Sequence, residues 1–312
     1  MNKELIIAAQ NSIWYNANGG DENPEKAFAF LRDCGFDAVD FNLAAHIRAG
    51  DVRQGNVHGF FDASLEELLE YYRPIKAAAD KCGVAFAQAH GPYPLHVEEY
   101  PHVHEYLLTV VEKMLGICQM LECPYLVVHP IIVRNHREEW ERNMEMYRKL
   151  MPTAKKYGVT ICLENMFTME NSRATGRACS SMEDACRYID ELNAEAGQIV
   201  FGFCYDVGHA IMTANDIYED IKQLGHRLVA LHIHENDTRT DLHQIPYMPR
   251  HSHKELNTNW EEFLQALREI GYRGALNLES HGSLRRIPTE LLKPMLQCGA
   301  AICDYFKKRI LE

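Results

Sequence analysis

Thr160-Ile161-Cys162-Leu163-Glu164-Asn165 reads as a short buried strand that ends on a carboxylate. Five other runs share that form: Val84 to His90, Tyr125 to His129, Phe201 to Asp206, Leu228 to His234 and Ala275 to Glu279. Each is rich in Val, Ile, Leu, Phe or Ala, of strand length, and closes on a residue type that binds divalent metals. Successive run ends stand 28 to 45 positions apart, which leaves room for a crossover helix between parallel strands. In a parallel barrel the C-terminal ends of all strands converge on one rim, so residues far apart in sequence reach a single centre.

The rest of the chain continues the alternation. Strand one is expected at about Leu5 to Gln10, a helix at Pro24 to Cys34, and strand two at about Ala38 to Phe41. Ser64 followed by Glu67 predicts a capped helix whose apolar face is Leu65, Leu68, Leu69, Tyr72 and Ile75. Leu107, Val110, Val111, Met114, Leu115 and Cys118 recur at three- and four-residue steps, the spacing of a core-facing helix. Further helices are expected at about Glu138 to Tyr157, Ser181 to Ala194, Asp216 to Leu224, and from Trp260 and Thr289, with a plain loop between strand five and Ser180. Eight strands and eight helices make an α/β chain and a (β/α)8 TIM barrel, read as one domain over residues 1–312. Two polar rim segments, 42–63 and 235–259, exceed the usual βα connection, and the first is a candidate lid.

Composition narrows the function classes. The net charge of −12 repels polyanions over the average surface and so disfavours nucleic acid. Apolar residues make up 46% of the chain, yet no stretch reaches the roughly 18 apolar residues of a membrane span. The N-terminus lacks the apolar length of a secretion signal. The ten cysteines include no C-x-x-C pair, and several sit in apolar segments or before a helix-ending glycine, so they read as reduced core residues in a cytoplasmic protein. The glycine patterns of nucleotide cofactors are missing.

The strand ends carry the chemistry. A carboxylate closing an apolar strand, as Glu164 and Glu279 do, must be neutralised by a cation or a proton. Asp206-Val207-Gly208-His209 follows strand six, and the glycine suits a tight turn that returns the imidazole to the rim. One of His232 and His234 is expected to face the interior, with the other in a structural role. Singly, His90 or His129 could be a core histidine, Asp206 a helix cap, and Asp241 and His243 solvated loop residues. Six consecutive strands ending in metal-binding types argue for a shared purpose.

Leu-Glu-Asn at 163–165, Asp-Val-Gly-His at 206–209, His-Glu-Asn-Asp at 234–237 and Leu-Glu-Ser at 278–280 together resemble the xylose isomerase-like TIM-barrel superfamily, over the whole chain. That superfamily includes ketose 3-epimerases, hydroxypyruvate isomerase, inosose dehydratase and endonuclease IV. The epimerase branch implies a divalent ion, commonly Mn²⁺, on Glu164, Asp206, His234 and Glu279, with His209 contacting the sugar. The endonuclease IV branch implies three Zn²⁺ ions and further ligands, for which His90, His129, His209, Asp241 and His243 are the matching residues. Against that branch, the segment 235–259 offers only Arg239, Arg250 and Lys254 as cations. Family members commonly carry a Pro-Gly-x-Gly stretch before the tryptophan, whereas here Pro246 to Asn259 has no glycine.

These readings converge on a metal-dependent isomerase or epimerase of a small ketose or polyol. Mn²⁺ or Zn²⁺, or alternatively Mg²⁺ or Co²⁺, would hold a carbonyl and a neighbouring hydroxyl and ease proton removal through an enediolate. The resemblance makes Glu164 and Glu279 the base and acid, with His209 orienting a hydroxyl. Dehydratase or lyase chemistry on the same site, a three-zinc phosphodiesterase, and a non-catalytic sugar-binding subunit are the alternatives. The expected partner is a small sugar, and a homo-oligomer is compatible with the chain.

Overall fold

The computed structural model describes residues 5–248 and 258–312. Eight parallel strands form a nearly closed barrel: β1 Ile6–Gln10, β2 Ala38–Asn42, β3 Ala85–His90, β4 Tyr125–Val127, β5 Thr160–Glu164, β8 Phe201–Asp206, β9 Leu228–His232 and β10 Ala275–Leu278. The strands β6 Phe167–Glu170 and β7 Arg173–Gly176 form a separate antiparallel hairpin. The barrel order is β10-β1-β2-β3-β4-β5-β8-β9. The ring closes where Ile233 pairs with Leu278, the Ile233 amide donating to Asn277 O at 2.9 Å and the Glu279 amide to Ile233 O at 3.0 Å.

Helices surround the sheet for the local reasons read from the sequence. Ser64 and Glu67 form the reciprocal capping box that starts the helix Leu65–Cys82, and Gly83, at φ +67°, ends it in the left-handed conformation that favours glycine. The large apolar residues lie between sheet and helices, with Phe28, Tyr72, Val111, Tyr147, Phe203 and Phe263 among those fully buried.

The inside of the barrel is built differently. Ala8, Ala38, Ala87 and Ala275 form one small cluster there, and Val127, Cys162, Cys204 and Ala230 another. Successive side chains on a strand alternate faces, so the residue two positions on points the same way. Small floor residues are therefore followed toward the rim by polar ones: Ala8 by Gln10, Ala38 by Asp40, Cys162 by Glu164, Cys204 by Asp206, Ala230 by His232, and Ala275 by Asn277 and then Glu279. The small floor gives the polar layer room to converge.

Some expectations are corrected. The expected loop before Ser180 contains the β6–β7 hairpin, with Phe167 paired to Gly176 and Glu170 to Arg173. Its register leaves Met169 half exposed, so it lacks the buried apolar face that marks a strand in sequence. β4 stops at Val127, so His129 lies in the following loop rather than on the strand. β9 stops at His232, and His234 lies just beyond it. The segment 42–63 holds short helical turns at Leu43–His46, Ala49–Val52 and Phe60–Asp62. Of the segment 235–259, residues 249–257, including Arg250 and Lys254, lie outside the described residues.

Candidate metal centre

β5, β8 and β10 bring Glu164, Asp206 and Glu279 to one end of the barrel interior, where their exposures are 2%, 1% and 6%. His234 points at the same place, its Nε2 being 3.0 Å from Asp206. The donors group in overlapping triads, Glu164–Asp206–His209, Asp206–His232–Glu279 and His234–His243–Glu279, each with its candidate ligand atoms within 4.8 Å of one another. Asp40, His90 and His232 make a fourth such triad deeper in the barrel.

The remaining sequence candidates join the same cluster. His129 Nε2 lies 3.3 Å from Glu164 Oε2, and His90 Nε2 lies 3.6 Å from Glu279 Oε1. Asp241 stands 3.7 Å from His209 Nε2 and 3.3 Å from His243 Nδ1. Asp206 is also a helix cap, accepting from the His209 amide at 2.7 Å. His209 Nδ1 lies 2.9 Å from Asn165 O, a carbonyl that can only accept, so Nδ1 carries the proton and Nε2 faces Asp241.

Charge compensation inside the chain is imidazolium. Burial pushes the Glu164 carboxyl up, but His232 and His129 outweigh it and hold it well below the usual carboxylate range. Burial likewise opposes ionisation of Asp206, and His209 and His234 overcome it. Burial wins at Glu279, whose carboxyl is raised despite His232 and His90, with Asp206 adding to the rise. Burial would lower both histidines, yet Asp206, with Asp241 and Glu164, lifts His209 to about 10, and Asp206 lifts His234 to about 9. His243 is driven well down by burial and by His234.

The donor set fits a divalent cation. Glu164 Oε2, His129 Nδ1, His234 Nδ1 and both ring nitrogens of His232 are buried without a hydrogen-bond partner, and such orphans are scarce in folded proteins. Carboxylates and imidazoles together suit Mn²⁺, Zn²⁺ or Co²⁺.

Gly208 has a role other than the expected tight turn. It lies inside the helix Val207–Met212, and a Cβ there would stand 2.0 Å from His234 Cε1 and 2.7 Å from Asn236 Nδ2. Glycine is required because the His234 ring lies directly against its backbone. Gly208→Ala should displace that ring and weaken divalent-ion binding more than tenfold, while costing about 1–3 kcal/mol of stability by overpacking. Competition with a chromophoric chelator measures it; unchanged affinity would remove His234 from the ligand set.

A pocket of about 360 Å³ opens over these groups, lined by His90, Tyr93, His129, Glu164, Asp206 and His209 among others. That is the small end of the range for ligand sites, roughly 300–1,000 Å³. The β6–β7 hairpin forms one wall, and Phe167 meets the His209 ring edge-on at 4.9 Å. A larger cleft of about 1010 Å³ shares Thr168 and Met169 with it. There Arg142 is paired with Glu138 and Arg177 with Glu139.

Sequence reasoning missed four residues here. Gln10 donates to Glu279 Oε1 at 2.7 Å, and Asp40, fully buried, lies 2.9 Å from His90 Nδ1. Phe167 came with the unforeseen hairpin. Only one of His232 and His234 was expected to face the interior, yet both rings lie against Asp206, His232 Nδ1 at 3.6 Å and His234 Nε2 at 3.0 Å. The alternation would have exposed Asp40 and His232, since each follows a small residue by two positions.

Comparison with known proteins agrees with the barrel fold. The family model described as "xylose isomerase-like TIM barrel" matches residues 28–296. MJ1311 of Methanocaldococcus jannaschii, an uncharacterised protein, is 28% identical over 186 residues, or 57% of this chain and 58% of that one. The protein y4fM of Sinorhizobium fredii is 32% identical over 79 residues, covering 25% of this chain and 23% of its own. The chain thus spans well under two thirds of either relative. Among solved structures, the 3-keto-D-glucoside 4-epimerase YcjR of E. coli superposes with a TM-score of 0.67 at 16% identity, covering 97% of this chain and 100% of that one. An L-ribulose 3-epimerase gives 0.67 at 16% identity, covering 98% and 96%. At such identities the likeness carries the fold. The length of the family match, over this strand order, makes the chain a member of the xylose isomerase-like TIM-barrel family.

Proposed function

We propose that the protein is a divalent-metal-dependent isomerase or epimerase of a small ketose or related polyol, working as a single barrel unit in the cytoplasm. The observation that carries this reading is the convergence of buried carboxylates and imidazoles beneath one pocket, which Glu164, Asp206, His209 and Glu279 line, with Glu164 Oε2 left without a hydrogen-bond partner. Glu164, Asp206, His234 and Glu279 would hold the ion, with His90, His129, His209, Asp241 and His243 as further candidates. When bound, a divalent ion would polarise a substrate carbonyl and lower the cost of removing the neighbouring proton.

The chain's own residues would do the rest. Glu164, ionised, takes the proton from the carbon beside the carbonyl. Glu279, on a strand separated from β5 by β8 and β9, delivers a proton from another direction. His209, braced by Asn165 O and Asp241, orients a hydroxyl. A proton returned to the same carbon from the other side inverts it, whereas one delivered to the carbonyl carbon isomerises the sugar. The fold's likeness to proteins named as a keto-glucoside epimerase and a ribulose epimerase supports a sugar substrate.

The test is proton exchange. Mn²⁺-loaded protein incubated with a panel of ketopentoses and ketohexoses in heavy water should place deuterium on the carbon beside the carbonyl, read by NMR. No exchange across the panel, with the ion bound, overturns the reading and leaves a sugar-binding role. A three-zinc phosphodiesterase is the second reading, favoured by the convergence of His129, His209, Asp241 and His243 on the same pocket. Elemental analysis separates the two: one tightly held ion per chain removes it, and three zincs support it.

A further inference from the structure

The pocket over the donors shares its hairpin wall with two further spaces. Thr168 lines all three, and Met169 lines both the pocket and the cleft of about 1010 Å³. The third space, of about 290 Å³, has Tyr93 and Phe167 in common with the pocket and His96, Glu98 and Ile132 in common with the cleft, so it bridges them. The cleft lies between the β6–β7 hairpin and the first turns of the helix His136–Tyr157. Ligand sites run from roughly 300 to 1,000 Å³, and the pocket of about 360 Å³ stands at the lower end while the cleft reaches the upper. A single sugar ring suits the first space and leaves the second over.

The chemistry of the cleft favours an uncharged, hydroxyl-rich occupant. Among the described residues its lining balances Arg134, Arg142 and Arg177 against Glu98, Glu138 and Glu170. Arg142 Nη2 donates to Glu138 at 2.6 Å, and Nη1 donates to His96 Nε2 at 3.0 Å. Arg177, 9% exposed, pairs with Glu139 at 3.0 Å, lies 3.5 Å from Glu170 and donates to Val133 O. Arg142 and Arg177 thus already hold carboxylates, which an anionic substrate group would have to displace. Hydroxyls need no such exchange: each donates and accepts, and a paired guanidinium and carboxylate offer both partners side by side. Because the pairs are set in the free protein, little side-chain freedom is lost on binding. Met169, 47% exposed at the junction of pocket and cleft, adds apolar surface that the C–H face of a sugar ring can cover.

We propose that the substrate is a ketose carrying a second, uncharged sugar unit through a glycosidic bond, the ketose lying over Glu164 and Glu279 and the second unit in the cleft between the hairpin and the helix His136–Tyr157. The proposal rests on the isomerase or epimerase reading of the centre and makes the cleft its specificity-determining part. Arg142 and Glu138 select for the second unit by bonding its hydroxyls, and Met169 supports its ring at the junction.

The experiment compares Mn²⁺-loaded wild type with Arg142→Ala on three sets of probes. These are free ketohexoses, keto-disaccharides in which a hexose is joined to fructose (isomaltulose, maltulose and lactulose), and fructose 6-phosphate. Deuterium uptake from heavy water gives kcat and KM for each, and circular dichroism checks folding. At least one keto-disaccharide should exceed the free ketoses by about tenfold or more in kcat/KM, mainly through KM, because the second unit is bound alike in ground and transition states. Arg142→Ala should remove most of that advantage, and fructose 6-phosphate should show none. Free ketoses handled as well as every disaccharide overturn the proposal while the isomerase reading stands. So does a preference for the phosphate of about tenfold, or an advantage that survives intact in folded Arg142→Ala. If no probe of any set exchanges, the isomerase reading fails and the proposal with it. Should Arg142→Ala fail to fold, Glu138→Gln is put to the same comparison, and an undiminished advantage there overturns the proposal.

Discussion

Glu164→Gln should lower kcat about a thousandfold or more while the barrel stays folded. Glutamine keeps the volume and leaves β5 intact, but it cannot accept a proton, and general acid–base catalysis is worth about 10²–10⁴-fold. The side chain is 2% exposed and stands 3.3 Å from His129, 3.3 Å from His209 and 3.6 Å from His232, so no other carboxylate can take its place without moving the cluster. KM should change less than kcat, because the interaction lost belongs mainly to the transition state. Steady-state kinetics alongside elemental analysis of the same preparation makes the check. Activity within tenfold of wild type would refute the role assigned to Glu164.

Removing the metal should have an effect of comparable size. Dialysis against a chelator is expected to abolish turnover, and added Mn²⁺ to restore it. Stability should fall as well, since an ion bound at a thousandfold excess over its Kd contributes about 4 kcal/mol, or roughly 5–10 °C in Tm. The pH dependence of the chelated protein has a definite sign. His209 and His234 are raised to about 10 and about 9, so their contribution is fully present below the ordinary imidazole value near 6.5 and is lost as pH rises through 9 to 10. Asp241 behaves oppositely: burial raises it, His209 and His243 outweigh that and hold it at about 2, and its contribution vanishes as pH falls toward 2. Metal-loaded protein, whose ligating histidines are neutral, should show a flatter Tm between pH 6 and 9. Thermal scans of both forms test this; identical profiles would argue against a metal centre built on these histidines.

The fold was legible because a strand buried on both faces reads as an apolar run, and runs spaced by helix-length intervals admit few topologies. Glu164, Asp206 and Glu279 stood out because a carboxylate at the end of such a run demands compensation. The β6–β7 hairpin was not legible, since its exposed, mixed residues carry no period-two apolar signal. Gly208 was legible as a glycine but not for its reason, because the His234 ring against it comes from a different strand end.

By itself the sequence determined the barrel, its strand order along the chain, and the residue types delivered to the rim, since these follow from local periodicity and from the cost of burying charge. Only the tertiary structure decided which of those residues meet. His232 packs among Glu164, Asp206 and Glu279 with Asp40 behind it because closing β9 onto β10 sets the distances across the barrel interior, and those distances depend on strand register and stagger rather than on any one strand's composition.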